Sequence, residues 1–125
     1  MCVVDLDNDG DLDMIISNQF GEPFIYRNEI SGKPWLGVEL KGTEVNPLQP
    51  VGAKVWLTYK VDGVPKTQFR EFHLVNGFMA QSDSRILFGF EKGEITDCRL
   101  KVQDLYGNII ERKMALNQYQ SINLP

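Results

Sequence analysis

Hydrophobic and polar residues alternate with a period of two in several parts of the chain. Half-buried strands of antiparallel sheets show this pattern, because successive side chains point to opposite faces of the sheet. The alternation is clearest in three segments, whose predicted inward positions are Ala53, Val55, Leu57 and Tyr59 in the first, Cys98, Leu100 and Val102 in the second, and Leu36, Val38 and Leu40 in the third. Each segment is therefore predicted to be a strand.

Turn-forming sequences separate these runs, roughly every eight to twelve residues. The pair Asp62-Gly63 lies between two of the runs and predicts a tight hairpin, because both residues tolerate positive φ angles. Glycine, proline and β-branched residues interrupt every segment that could form an amphipathic helix. The sequence therefore predicts an all-β fold, either an antiparallel β-sandwich or a barrel.

One run, residues 69–75, is harder to orient. It carries apolar side chains at both odd and even positions. This pattern fits either a strand covered on both faces or a strand that contains a bulge, and the sequence leaves both possibilities open.

The composition changes near residues 31–34. Before this point lie a dense group of acids and two short predicted strands, at residues 12–17 and 24–28. After it the chain consists of regularly punctuated β-structure. We therefore expect a domain boundary here, with residues 1–30 as one unit and residues 31–125 as the main β domain.

The formal charge of −4 is unevenly distributed. Five of the seventeen acids lie in the first thirteen residues, whereas the other 112 residues carry twelve acids and thirteen bases. The bases are scattered singly along the sequence, which argues against nucleic acid or anionic lipid as a partner. No apolar run approaches the roughly 20 residues that span a bilayer, so we expect no membrane insertion. The two cysteines, Cys2 and Cys98, form neither a disulfide framework nor a zinc site.

The acids near the start of the chain follow the pattern D-x-D-x-D-G-x-x-D, with Gly10 at its glycine position. Its acidic positions are Asp5, Asp7, Asp9 and Asp13, and Asp11 is a fifth acid within it. Charges this dense repel one another unless they are solvated or neutralised. Alternation directs Asp5, Asp7 and Asp9 into one concavity, and Gly10 permits the reversal that returns Asp13 to it. Carboxylate oxygens with one backbone carbonyl, here that of Asp11, suit Ca²⁺.

Two other interpretations of this loop are weaker. A solvated acidic turn does not require five acids in register with a glycine. An EF-hand loop needs helical flanks and a bidentate glutamate at its twelfth position, which is Ile16 here. The flanks in this sequence have the pattern of strands, so an EF-hand is disfavoured.

The acidic loop between two predicted strands resembles the FG-GAP/VCBS repeat of integrin-type β-propellers, in which an ion braces a hairpin within a blade. The resemblance implies side-chain ligands from Asp5, Asp7, Asp9 and Asp13 and a carbonyl ligand from Asp11. A propeller blade has four strands, so residues 1–30 would form only part of a repeat. We therefore expect upstream propeller repeats in a longer protein.

Later motifs resemble those of the ASPIC/UnbV domain. In order along the chain they are G-A-x-V at 52–55, R-E at 70–71, G-[FY]-x-x-Q-S at 77–82, F-G at 88–89 and the pair Asn117-Gln118. That domain typically follows FG-GAP/VCBS repeats in secreted and cell-surface proteins, including cartilage acidic protein and many bacterial homologues. The resemblance covers about residues 3–123 and implies a secreted, cell-surface or periplasmic location.

Candidate catalytic residues do not combine into an active site. Asp5 and Asp7 have the spacing of the haloacid-dehalogenase-type phosphatase motif, but the later lysine and the α/β fold of that class are not predicted. His73 is the single histidine and is interpreted as structural or superficial. Cys98 lies on the apolar face of a strand, and Ser82 lacks a nucleophile elbow. We therefore expect no enzymatic activity.

The sequence as a whole predicts a non-enzymatic, calcium-binding adhesion or recognition module whose ligand is a protein or a glycan. The alternative is a purely structural cap of a β-propeller, with no ligand of its own. Trp35 and Trp56 are interpreted as core or interdomain packing residues, although exposed rings on a sheet can also stack on sugars. Recognition is expected on the longer polar loops, at residues 42–50 and 76–84.

Overall fold

The computed structural model describes residues 1–30, 32–42 and 50–125, and all regular secondary structure in these ranges is β. The strands are β1 Cys2–Val4, β2 Asp13–Ile16, β3 Phe24–Tyr26, β4 Trp35–Lys41, β5 Lys54–Val61, β6 Val64–Glu71, β7 Val75–Gly77, β8 Ala80–Gln81, β9 Ile86–Gly89, β10 Ile95–Gln103, β11 Ile109–Lys113 and β12 Tyr119–Asn123. The all-β prediction is confirmed. Within the same ranges no helix is long and apolar enough to cross a membrane.

Two sheets make up the main β domain. One has four antiparallel strands in the order β11-β10-β5-β6, and the other has three strands in the order β12-β4-β9. The prediction of purely antiparallel pairing is wrong for the second sheet, because β12 runs parallel to β4. No tight hairpin joins these two strands, so a turn does not dictate their relative direction. Neither sheet closes into a barrel within the described residues.

The inward faces of both sheets contribute to a single buried cluster. Its fully buried members, with no exposed surface, are Leu36, Val38, Ala53, Val55, Leu57 and Phe88. All ten positions that the alternation assigned to the interior are buried, which confirms the predicted facing of β4, β5 and β10. Because the two sheets share this core, they pack face to face as a sandwich.

The β5–β6 hairpin forms where the sequence predicts it. Asp62 and Gly63 have φ angles of 50° and 81°, and the flanking residues Val61 and Val64 pair across the turn. Two positive φ angles match the right-handed twist of the paired strands.

The structure corrects both interpretations of residues 69–75. Strand β6 ends at Glu71, inside this segment. Phe69 is half-exposed on the sheet, whereas Phe72 lies beyond the strand end and is buried in the core. The Phe72 amide donates to the Ala53 carbonyl at 2.9 Å, which fixes the turn of the chain at this point. Apolar groups occur on both sides of the run because the strand ends within it.

A third sheet lies at the start of the chain and consists of β1, β2 and β3 in that order, all antiparallel. Strands β2 and β3 fall within the segments predicted at residues 12–17 and 24–28. The three side chains of β3, Phe24, Ile25 and Tyr26, are each more than half exposed. The aspartate-rich loop connects β1 to β2.

We expect Leu57→Ala to lower the free energy of unfolding by about 2–5 kcal/mol, because it leaves a cavity between the two sheets. Thr67→Ala, on the exposed surface of the neighbouring strand β6, is the matched control and should change stability by less than about 0.5 kcal/mol. Urea denaturation followed by circular dichroism measures both. Equal effects of the two substitutions would contradict the placement of the core.

Candidate metal centre

The β1–β2 hairpin brings the two ends of the aspartate loop together. Val4 pairs with Asp13 across the hairpin, so Asp5, which directly follows β1, lies beside the first residue of β2. Asp5 and Asp13 are each only 1% exposed, although both are carboxylates. Burying a carboxylate is costly unless hydrogen bonds or a cation compensate its charge.

Three of the predicted ligands converge on one point. One carboxylate oxygen from each of Asp5, Asp7 and Asp13 lies within 4.8 Å of the other two. Asp7 is exposed, and Arg27 forms an ion pair with it at 2.6 Å. At such separations three negative charges repel strongly in a partly desolvated environment. The arrangement therefore concentrates negative charge at the base of the loop.

Backbone amides of the loop hold the Asp5 carboxylate. Its Oδ1 accepts a hydrogen bond from the Asp9 amide at 3.2 Å, and its Oδ2 accepts one from the Gly10 amide at 3.0 Å. The same Oδ2 accepts the phenolic proton of Tyr119, which comes from the last strand of the main domain. These three donors fix the orientation of the carboxylate and lower the cost of its burial.

Asp13 and Asp11 tie the loop to the segment after β3. Asp13 accepts hydrogen bonds from the amides of Leu6, at 2.9 Å, and Asn28, at 2.8 Å. Asp11 Oδ2 accepts the Ile30 amide at 2.9 Å. Its other oxygen, Oδ1, is buried with no hydrogen-bond partner among the described residues. Desolvation by burial and neighbouring acids raise the pKa of Asp11, against the opposing effect of the Ile30 amide.

Asp9 lies outside the close set of carboxylates. It is exposed, and its Oδ1 accepts the Asp11 amide at 3.1 Å within the loop. The structure therefore brings Asp5, Asp7 and Asp13 together and directs the side chains of Asp9 and Asp11 to backbone amides.

Asp83 and Arg85, an ion pair of the main domain, form hydrogen bonds with the outer side of the loop. Arg85 Nη2 donates to the Asp5 carbonyl and to Asp83, both at 2.7 Å, and Nη1 donates to the Asn8 side chain. Asp83 Oδ2 in turn accepts the Asp5 amide at 3.3 Å. Burial opposes ionisation of Asp83, but the hydrogen bonds from Arg85 and from the Asp5 amide outweigh it and lower its pKa. Along β1 the Val3 amide donates to the Ser82 hydroxyl at 3.3 Å, and the Asp83 amide donates to the Val3 carbonyl at 2.9 Å.

Two aromatic rings of the main domain form the other side of the contact. The Tyr119 and Trp35 ring centroids lie 5.1 Å apart, and the Arg85 guanidinium lies 4.1 Å from the Tyr119 ring centroid. Desolvation and the hydrogen bond to Asp5 raise the pKa of Tyr119 far above its usual value, so the phenol stays protonated. Trp35 packs directly on Gly10, where a Cβ atom would lie 2.1 Å from the ring.

Sequence reasoning missed Asp83, Arg85 and Tyr119 as partners of the loop. A signal for the first two exists in the chain, because Asp83 directly follows the Q-S motif at residues 81–82 and Arg85 lies two residues further on. The structure also shows the contacts of Asn117, the first residue of the Asn117-Gln118 pair. Its side-chain oxygen accepts the Trp35 amide at 3.2 Å, and its own amide donates to the Trp35 carbonyl at 2.7 Å.

The candidate nucleophiles have environments unlike those of activated groups. Desolvation by burial raises the pKa of Cys98, the opposite of what a reactive thiolate requires. Ser82 accepts a hydrogen bond from the Val3 amide at 3.3 Å. His73 is exposed, with its Nε2 3.5 Å from a carboxylate oxygen of Glu71.

Most of one predicted recognition loop lies outside the described residues, whereas the structure describes the other. Of residues 42–50, residues 43–49 lie outside the described ranges. Residues 76–84 include most of the small β7–β8 hairpin, which begins at Val75 and whose tip exposes Phe78 by 93% and Met79 by 91%. Trp56 is half-buried and packs against Phe69, with ring centroids 5.4 Å apart.

Comparison with protein families identifies the main domain. Residues 42–104 match the family model described as ASPIC and UnbV. Because the match spans half of the chain, the chain belongs to this family. The matched segment contains strands β5 to β10, whereas β4, β11 and β12, which complete the two sheets, lie outside it. A comparison with curated proteins finds no match to the chain.

We expect Gly10→Ala to destabilise the protein more than Gly107→Ala does, by about 1–3 kcal/mol, because only the first methyl group collides with a packed ring. The two glycines have almost the same φ angle, +91° and +88°, and nothing lies within 4 Å of the Cβ position at Gly107. Backbone strain of about 1–2 kcal/mol is therefore common to both variants. Thermal unfolding measures the difference. Equal losses would show that Trp35 does not pack on the loop in solution.

Proposed function

We propose that the chain is a non-enzymatic recognition module in which a calcium ion at residues 5–13 braces the N-terminal sheet against the ASPIC/UnbV domain. The observation that carries this proposal is the convergence of Asp5, Asp7 and Asp13 within 4.8 Å, with two of the three buried. Three carboxylates so arranged gain from neutralisation by a divalent cation.

The donor set fits calcium better than a transition metal. All the candidate ligands are carboxylate or carbonyl oxygens, and hard oxygen ligands are those that Ca²⁺ prefers. The loop offers no histidine or cysteine, which zinc and copper favour. The Oδ1 atom of Asp11, in the same loop, is buried and has no hydrogen-bond partner in the part of the chain that the structure describes. Asp5, Asp7 and Asp13 would hold the ion through side chains and Asp11 through its carbonyl. The side chain of Asp9, the fourth predicted side-chain ligand, would have to turn from the Asp11 amide to join them.

The surroundings of the loop support a bracing role for the ion. Bound calcium supplies positive charge between buried carboxylates. The protein then holds the same loop from outside through Arg85, Asp83 and Tyr119. Fixing the loop therefore also fixes the angle between the first sheet and the main domain.

The first sheet supports the proposal that propeller repeats precede it in a longer protein. Among the residues that the structure describes it has three strands, one fewer than a propeller blade. The exposed apolar side chains of β3 form a surface that a neighbouring strand would cover. Calcium-braced repeats of this kind also fit a secreted, cell-surface or periplasmic location.

The environment of the acidic residues supports the proposal of a role without catalysis. Asp5, which would be the nucleophile in a phosphatase interpretation, is 1% exposed and accepts three hydrogen bonds. Its oxygens are therefore not presented to a substrate. The buried thiol of Cys98 and the exposed His73 add no activated pair.

The second candidate is a structural cap of a propeller, with no ligand of its own. The contact between the loop and the main domain favours the cap, because Arg85 and Tyr119 direct hydrogen bonds to Asp5 in the loop. The exposed Phe78 and Met79 favour recognition, since a rigid sheet that carries an apolar hairpin tip is typical of binding surfaces.

We expect calorimetry to detect Ca²⁺ binding by the wild-type chain, with Asp7→Asn raising the Kd by about tenfold or more, which corresponds to about 1.4 kcal/mol. Asp7 is the best test residue because it is exposed and accepts no backbone amide among the described residues, so its substitution should leave the fold intact. Saturating calcium, at about 100 times the Kd, should raise the free energy of unfolding by about 2.7 kcal/mol.

The matched control is Asp11→Asn, which keeps the carbonyl ligand and an acceptor for the Ile30 amide. It should change the calcium Kd much less than Asp7→Asn does. Absence of calcium binding by the wild type would refute the metal site, and equal effects of the two variants would refute the assignment of ligands.

An array of matrix proteins and glycans separates recognition from a cap. We expect the assembled protein to bind at least one member, and the signal to fall on Trp56→Ala or Phe78→Ala, because these substitutions remove surface rings. Phe20→Ala is the control, since Phe20 is 94% exposed in the N-terminal unit, close to the 93% of Phe78. Silence across the array would favour the cap.

A further inference from the structure

The outer face of the four-stranded sheet gathers bases that are far apart in the sequence. On β5, β10 and β11 the side chains opposite the buried positions include five bases: Lys54, Lys60, Arg99, Lys101 and Lys113. Three acids share this face: Glu71, Asp97 and Glu111. The face therefore has two excess positive charges in a chain whose net charge is −4. Scattered bases in the sequence become neighbours because each occupies an outward position on an adjacent strand.

The strand register sets the pattern of this outer basic face. Arg99 pairs directly with Lys113 across β10 and β11. Lys101 lies between Glu111 on one side and Trp56 on the other. Its Nζ is 5.4 Å from the centroid of the Trp56 ring. A shallow depression on the outer basic face is lined by Trp56, Thr58, Arg99, Lys101, Glu111 and Lys113.

Most of these bases are available to an external anion. Lys60 is already paired with Asp97 at 2.7 Å, and its hydrogen bond is the main cause of the lowered pKa of Asp97. In residues 1–30, 32–42 and 50–125, by contrast, no ion pair involves Arg99, Lys101 or Lys113. All three side chains are exposed.

We propose that the outer basic face binds an acidic polysaccharide, with its carboxylate or sulfate groups on Arg99, Lys101 and Lys113. The proposal rests on the recognition role proposed above and names the class of ligand and the surface. The Trp56 ring offers an apolar platform for a sugar ring. Thr58 and Glu111 offer hydrogen-bonding groups for sugar hydroxyls within the same depression.

The interspersed acids favour a polysaccharide over a nucleic acid. A nucleic acid presents closely spaced phosphates, and its binding surfaces are strongly and uniformly basic. Here Glu111 lies beside Lys101 and would repel a continuous row of phosphates. A polysaccharide alternates charged groups with neutral hydroxyls, and that alternation matches the mixture of cations, an acid and hydroxyl groups on this face.

The test is a fluorescence titration of the whole chain with a heparin oligosaccharide, at two salt concentrations and in the presence of calcium. The variant Arg99→Gln/Lys101→Gln should raise the Kd about fivefold or more, since two exposed ion pairs are lost. Lys33→Gln/Lys92→Gln removes the same charge elsewhere and is the matched control. The exchange Arg99→Lys/Lys101→Arg keeps both charges and should retain binding.

Dextran and an oligothymidylate complete the experiment. Dextran, which is neutral, should not bind. Absence of heparin binding, or equal losses in the face variant and its control, would overturn the proposal. Tighter binding of the oligothymidylate, lost in the face variant, would also overturn it and identify a nucleic-acid surface. Calcium calorimetry on the same samples separates the two proposals, because intact calcium binding without heparin binding refutes only the polysaccharide site.

Discussion

Two buried aspartates constrain the rest of this structure. Asp5 and Asp13 are almost completely removed from solvent in a loop that contains three further acids. A buried carboxylate destabilises a fold by several kcal/mol unless its charge is compensated. The chain provides this compensation through backbone amides at both carboxylates and through the Tyr119 hydroxyl at Asp5. Hydrogen bonds from backbone amides near the loop and from the main domain therefore both stabilise this conformation.

The need for outside support explains why the two parts of the chain are closely connected. Arg85 joins Asp5, Asn8 and Asp83 in one hydrogen-bonded group, and its guanidinium covers the ring of Tyr119. The main-domain members of this group lie at an end of the sandwich. Asp83 and Arg85 come just before β9, and Tyr119 begins β12. The domain boundary near residues 31–34 remains a prediction. The contact across it combines a polar network at the candidate metal ligands with the packing of Trp35 on Gly10.

The sequence predicted which side chains of a strand face the core, and it predicted contacts between distant residues less well. Alternation located the buried positions of β4, β5 and β10, because a period of two follows directly from strand geometry. It could not give the parallel direction of β12 or the end of β6 at Glu71, since both depend on tertiary pairing. The aspartate spacing predicted that Asp5, Asp7, Asp9 and Asp13 converge, and the structure brings three of them together but leaves out Asp9, whose side chain accepts the Asp11 amide. It did not reveal Arg85, which is about 80 residues from Asp5 in sequence. The same limit hid the outer basic face, whose members are neighbours only across strands.

Luminescence of terbium, which replaces calcium at oxygen-rich sites, tests the central claim most directly. Trp35 packs on Gly10 within the loop, whereas Trp56 lies on the outer face of the four-stranded sheet. Excitation of tryptophan should therefore produce terbium emission that added calcium suppresses. The emission should be lost in Trp35→Phe and retained in Trp56→Phe. Absence of sensitised emission from the wild-type chain, or emission that depends on Trp56, would contradict a calcium-braced loop packed against the main domain.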